Sequence, residues 1–159
     1  MNPEIHCDAW KDGEEIPIEY TAPKEPNIQA PGGQQPENRI PNFTFANVPD
    51  GTQAIALVVH DVLEGEPVEG ARPGWTHYIA IMSPEGRLLK EGTTDEDETG
   101  WVGPYPERSG EYHCTAYFLS DEFPEIEITR KNILKLFGSH GLGSVNMVGK
   151  YTNPRSISK

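Results

Sequence analysis

Apolar residues in this chain gather in short runs divided by turn residues. The longest, Ala54–Val59 (AIALVV), is continuous rather than alternating. A β-branched run of that kind predicts a strand buried on both faces, and it ends at the polar pair His60-Asp61. Three further runs, His77–Met82 (HYIAIM), Tyr112–Leu119 (YHCTAYFL) and Ser144–Tyr151 (SVNMVGKY), also predict strands. Phe43 and Phe45 alternate with Asn42 and Thr44 as in a half-buried strand, and Glu14–Tyr20 alternates weakly. One stretch has helical spacing: Thr129 stands as a cap, Ile133, Leu134 and Phe137 share a helical face, and Gly138 offers a stop. The fold class is therefore mostly β, antiparallel, with one clear helix near the C-terminus.

Between the runs, punctuation dominates. Thr21 to Pro41 carries five prolines in 21 residues, which excludes a helix and marks a segment that wraps the core or borders a site. Val48–Thr52 (VPDGT) is a turn, since Pro presets φ and Gly accepts a positive one. The turn-rich Glu64–Gly74 separates two core strands, and Glu91–Glu98 is acidic without the spacing of a calcium loop.

Composition narrows the classes. A length of 159 residues fits one domain over the whole chain. The net charge of −12 repels phosphate backbones and anionic bilayers, so nucleic acid and stable membrane insertion are disfavoured. Cys7 and Cys114 form no zinc spacing and read as buried free thiols. With no spanning segment and no signal-like start in Met1–Trp10, the expected location is cytoplasmic.

The residues that could carry chemistry stand at strand ends. If Ala54–Val59 and His77–Met82 are antiparallel neighbours, Asp61 faces His77, and Trp75 adds an aromatic wall. Such a pair suits an anion or zwitterion, with His as donor and Asp as acceptor for an ammonium. A purely structural role, with Asp61 capping a turn and His77 satisfied in the core, remains open on residues alone. Gly103-Pro104-Tyr105-Pro106 is a rigid loop whose N–H groups could hold an anion. His60, Asp61, His77 and His113 match no metal spacing, and no serine elbow, P-loop or dinucleotide fingerprint occurs. No cofactor is expected.

The order of these features resembles the phosphatidylethanolamine-binding protein family, including its bacterial and archaeal Raf-kinase-inhibitor-like branch. Glu37–Thr52 (ENRIPNFTFANVPDGT) is similar to the family's "NISPPLxWxxVPxGT", and Ala54–Asp61 to its "SLALxxxDPDAP". Trp75–Ile81 resembles "WxHWVVxNI", Trp101–Pro106 "YxGPxPP", His140–Tyr151 "HVLAxAELVGxY", and Asp12–Pro17 "DGxxIP". The resemblance implies a central antiparallel sheet packed on a smaller sheet, with a few peripheral helices. It also implies a small pocket for an anionic group such as phosphate or a phospholipid headgroup. Asp61 and His77 then stand at pocket positions, Trp75 at the rim, and Gly103 and Pro104 on the anion-holding loop.

Two departures bear on ligand choice. Asp61-Val62-Leu63-Glu64-Gly65-Glu66-Pro67 lacks the second Asp and adjacent Pro of DPDAP, and Gly110-Glu111-Tyr112-His113 departs from GxHRY. One register puts Tyr112 on the family Tyr, with Gly110 and Glu111 replacing its His and Arg; the other brings His113 into the pocket. Strand alternation makes the two exclusive, and the first is favoured. The leading expectation is a non-enzymatic binding module with a possible regulatory role towards kinases or proteases. An interaction protein with a vestigial pocket, and a hydrolase using Asp61 and His77, are the alternatives.

Overall fold

The computed structural model describes residues 2–21, 37–63, 76–92, 100–101, 103 and 110–152. Trp75, Pro104, the acidic run of Glu91–Glu98 beyond Gly92 and most of Thr21–Pro41 lie outside the described residues.

β1 (Glu4–Cys7) and β2 (Phe43–Ala46) form a two-stranded antiparallel sheet. β3 (Ala54–Leu63), β4 (Thr76–Met82), β5 (Leu88–Glu91), β6 (Gly110–Leu119) and β7 (Gly141–Tyr151) form a five-stranded sheet. Its order is β5-β4-β3-β6-β7, with every neighbour antiparallel. Among the described residues there is one α-helix, α1 (Arg130–His140), and a single 3₁₀ turn at Ile18–Tyr20. The mostly β architecture agrees with the sequence, whereas only one of the expected peripheral helices falls within the described residues.

The run Ala54–Val59 explains the sheet. Each of its residues is 3% exposed or less, because both faces of β3 are covered. On one face Ile55, Leu57, Val59, Tyr78, Tyr112, Cys114 and Phe118 pack with Ile5, Trp10 and Phe43 from the smaller sheet side. On the other, Ala54, Ala56, Val58, Ile79 and Ile81 meet Ile133 of α1, with Leu136 and Phe137 alongside. Ile133 and Phe137 face inward as the spacing predicts, but Leu134 is 51% exposed and Leu136 takes the inward place instead.

Several boundaries differ from the sequence reading, β6 and β7 beginning at Gly110 and Gly141 rather than Tyr112 and Ser144. β3 does not stop at His60-Asp61 but runs to Leu63, because β6 pairs with it as far as Gly110. α1 passes Gly138 and ends at His140, capped by Gly141, whose N–H bonds the Phe137 carbonyl and whose missing Cβ would collide with that same oxygen. The start agrees: Thr129 Oγ1 accepts the Asn132 N–H at 3.2 Å, one of the orphan amides of the first turn.

β7 is an edge strand, and its outer side is partly closed by the segment before the 3₁₀ turn. The Val148 N–H donates to Asp12 Oδ1 at 2.7 Å, and its carbonyl accepts the Gly13 N–H at 2.7 Å. Lys150 exchanges two further backbone bonds with Glu14 and Ile16 at 2.9 and 2.7 Å. β5, at the other edge, keeps Leu88 and Leu89 exposed.

Candidate functional site

The site begins with a strand irregularity. Val59 pairs with Tyr78, but the next residue, His60, pairs with Thr76, which leaves His77 as an extra residue in β4. Strict alternation from Tyr78 would send His77 to the helix side of the sheet. The bulge turns it instead to the face that carries Asp61. His77 Nε2 lies 2.9 Å from Asp61 Oδ2, with both residues buried. The carboxylate fixes Nε2 as a donor and orients the ring. Tyr112, the register partner of Asp61 on β6, meets the His77 ring edge-on at 5.2 Å between centroids and 77° between planes.

Asp61, His77 and Tyr112 are thus brought together by three neighbouring strands at one end of the sheet. Of the remaining expected site residues, Trp75 and Pro104 lie outside the described residues. His113 does not join the group. It follows Tyr112 in a regular strand, so it points to the opposite face, where its ring stacks on His60 at 5.3 Å and 8°. The four residues His60, Asp61, His77 and His113 are thereby split between two faces. Among the described residues, no three His, Cys, Asp or Glu side chains converge as metal ligands.

Gly103 is held in a different way from the one expected of an anion loop. Its N–H donates to Asn38 Oδ1 at 2.8 Å, while Asn38 Nδ2 donates to the Trp101 carbonyl at 3.0 Å. Asn38 sits at φ +50°, a conformation Asn tolerates better than most side chains. Trp101 in turn donates its indole N–H to the Tyr20 carbonyl at 3.1 Å. A Cβ on Gly103 would run into that same carbonyl, so glycine is required there by close approach. Because the Gly103 amide is already bonded to Asn38, it is not a free donor. The sequence reading missed Asn38; its one local signal is an Asn standing just before the Pro-bounded Arg39-Ile40-Pro41.

Cys114, two residues beyond Tyr112 on the same face, is buried, and burial pushes its thiol well above its ordinary range. Burial also raises the half-buried Cys7 thiol, which donates to the Trp10 carbonyl at 3.3 Å. On the helix side, burial first and the Arg130 guanidinium second push His60 below the usual histidine range.

Comparisons with known proteins follow the same outline. A UPF0098 protein of Chlamydia muridarum is 28% identical over 123 residues, covering 70% of this chain and 81% of that protein. A UPF0098 protein of Aquifex aeolicus is 24% identical over 166 aligned residues, covering 93% of this chain and 87% of its own. The fold is similar to a putative phosphatidylethanolamine-binding protein homolog, CT736, from Chlamydia trachomatis. That match has a TM-score of 0.74 at 22% identity, over 94% of this chain and 97% of the other. It is also similar to YbcL of Escherichia coli, with a TM-score of 0.69 at 16% identity over the same shares. No described helix is long and apolar enough to cross a membrane. The model of the phosphatidylethanolamine-binding protein family matches residues 7–152, and with that span, in this strand order, the chain belongs to that family.

Proposed function

We propose that this chain is a non-enzymatic binding module whose Asp61–His77–Tyr112 site takes a small anionic group, phosphate or headgroup-like, and that it regulates a protein partner such as a kinase or protease. The observation that carries the reading is the buried 2.9 Å carboxylate–imidazole pair, aimed by a bulge at the end of a sheet. With its Nε2–H given to Asp61, His77 can donate to an anion only through Nδ1 and only as an imidazolium, a form the Asp61 carboxylate supports, and Asp61 also offers an acceptor for an ammonium.

The neighbours shape the ligand. On the site face of β6, Gly110 brings no side chain and Glu111 belongs to the other face. A phosphate dianion would thus meet His77 without a second cation from this strand, which favours a less charged or zwitterionic ligand. A net charge of −12 favours a soluble headgroup or a protein over an anionic bilayer. Turnover is disfavoured because the thiol nearest the site along β6, Cys114, is inert through burial. Two free thiols suit a reducing compartment, in keeping with a cytoplasmic location.

The test is an NMR titration with phosphoethanolamine and with inorganic phosphate. Saturable shifts at Asp61, His77 and Tyr112, lost in His77→Gln, are the expected result. Folded protein without shifts at tens of millimolar would overturn the headgroup reading and leave a vestigial pocket with partners on the loops.

A further inference from the structure

We infer that the stacked pair His60 and His113 is a proton-sensitive brace, which holds the site-bearing end of the β3–β6 ladder while both rings are neutral and releases it on acidification. The pair lies on the face opposite Asp61 and Tyr112, in the adjacent rung of the same ladder.

Three observations argue for it. The rings are 5.3 Å apart and nearly parallel, which is favourable for two neutral imidazoles and repulsive for two imidazoliums. The second observation is a chain of hydrogen bonds that assigns one tautomer. Asn146 Oδ1 accepts from the Thr115 hydroxyl at 3.3 Å, so its Nδ2 is the atom turned towards His113 Nδ1 at 3.4 Å. His113 Nδ1 is therefore an acceptor, and the ring proton sits on Nε2, 3.4 Å from Glu111 Oε1. A second proton, on Nδ1, would confront the Asn146 N–H₂; the amide would have to turn and give up Thr115. That exchange would disturb the β6–β7 rungs from which both side chains come.

The third observation is the state of His60. Its Nδ1 is buried and has no hydrogen-bond partner among the described residues. The charged groups around the stack do not compensate for a proton there. Arg130 acts on His60 from α1, Lys150 of β7 is the register partner of Glu111, and Thr76, opposite His60 on β4, is uncharged. A backbone hydrogen bond with Asp61 and, less strongly, the Asp61 carboxylate on the opposite face favour protonation of His60, while Glu111 lies beside His113. Burial, Arg130 and His113 act against it on His60, and burial is the largest influence.

The sign follows. An unfolded histidine binds its proton near pH 6.5, and folded His60 binds it only at lower pH. Below about pH 6.5 the unfolded chain holds more protons, so this contribution to stability is present at neutral pH and lost on acidification. Because Asp61 and Tyr112 form the next rung, the loosening reaches the strand ends that carry the candidate site.

Imidazole ¹⁵N spectra of the full chain, with amide-exchange protection factors, test the inference. The expected result has the His113 ring proton on Nε2 and His60 titrating below about 6.5. Protection at Asp61 and Tyr112 should fall with the same midpoint. His113→Gln should move the His60 midpoint upward and preserve that protection in acid. Asn146→Asp, which sets a carboxylate against Nδ1 and favours protonated His113, should move the His60 midpoint downward. A His60 midpoint at or above 6.5, a midpoint unmoved by both substitutions, or protection that does not change with pH would each overturn the proposal.

Discussion

Two carboxylate–imidazole pairs lie back to back across the β3–β6 ladder, and their chemistry is nearly the same. Asp61 and His77 meet at 2.9 Å with side chains 6% and 2% exposed. Glu111 and His113 meet at 3.4 Å with side chains 49% and 25% exposed. The first pair has been taken out of water and depends on its partner for compensation; the second is solvated and depends on it little. Pairing is common to both sides, so burial is what separates a candidate site from a surface contact.

Removing one partner from each side is the sharpest way to break this comparison. Asp61→Ala leaves a buried imidazole without its carboxylate and should cost about 3–5 kcal/mol in urea denaturation. A loss comparable to that of an exposed pair would show that water reaches the front pair. Replacing both groups with apolar ones of similar bulk, Asp61→Leu with His77→Phe, should regain most of that loss, since neither half of the ion pair is then left buried without the other. If the double variant is no more stable than Asp61→Ala, packing around the bulge, rather than polarity, governs this end of the sheet. Glu111→Gln should move stability by only about 0.2–1 kcal/mol, with an effect that shrinks as salt rises.

What the sequence could reveal tracks the same division between buried and solvated. Ala54–Val59 is legible because a strand covered on both faces needs apolar residues at every position. The Thr129 cap is legible because one side-chain oxygen does a local task. β5 is not legible: Leu88–Glu91 is an edge strand that pairs on one side only and carries exposed leucines and a lysine, so no periodicity marks it. β1 is short and polar at alternate places for a similar reason.

Within the site, the meeting of Asp61 and His77 follows from two strand ends placed side by side. The face to which His77 turns does not, because it depends on a bulge that neither Thr76 nor His77 announces. The side taken by His113 is settled only by the register of β6 against β3, where Tyr112 falls opposite Asp61. Asn38 is further from reach: its bonds to Trp101 and Gly103 span 63 and 65 residues, and no local pattern encodes a contact of that range.

The closure of β7 by Asp12, Gly13, Glu14 and Ile16 has a consequence for life at high concentration. An edge with open amides is a template on which another chain can grow a strand, and crowded solutions select for whatever blocks that growth. Here the stopper is the chain's own early segment, with a carboxylate on the Val148 N–H and backbone bonds to Lys150. Loosening Asp12–Ile16 from β7 would therefore open the backbone of Val148 and Lys150 as a template for strand addition by another chain.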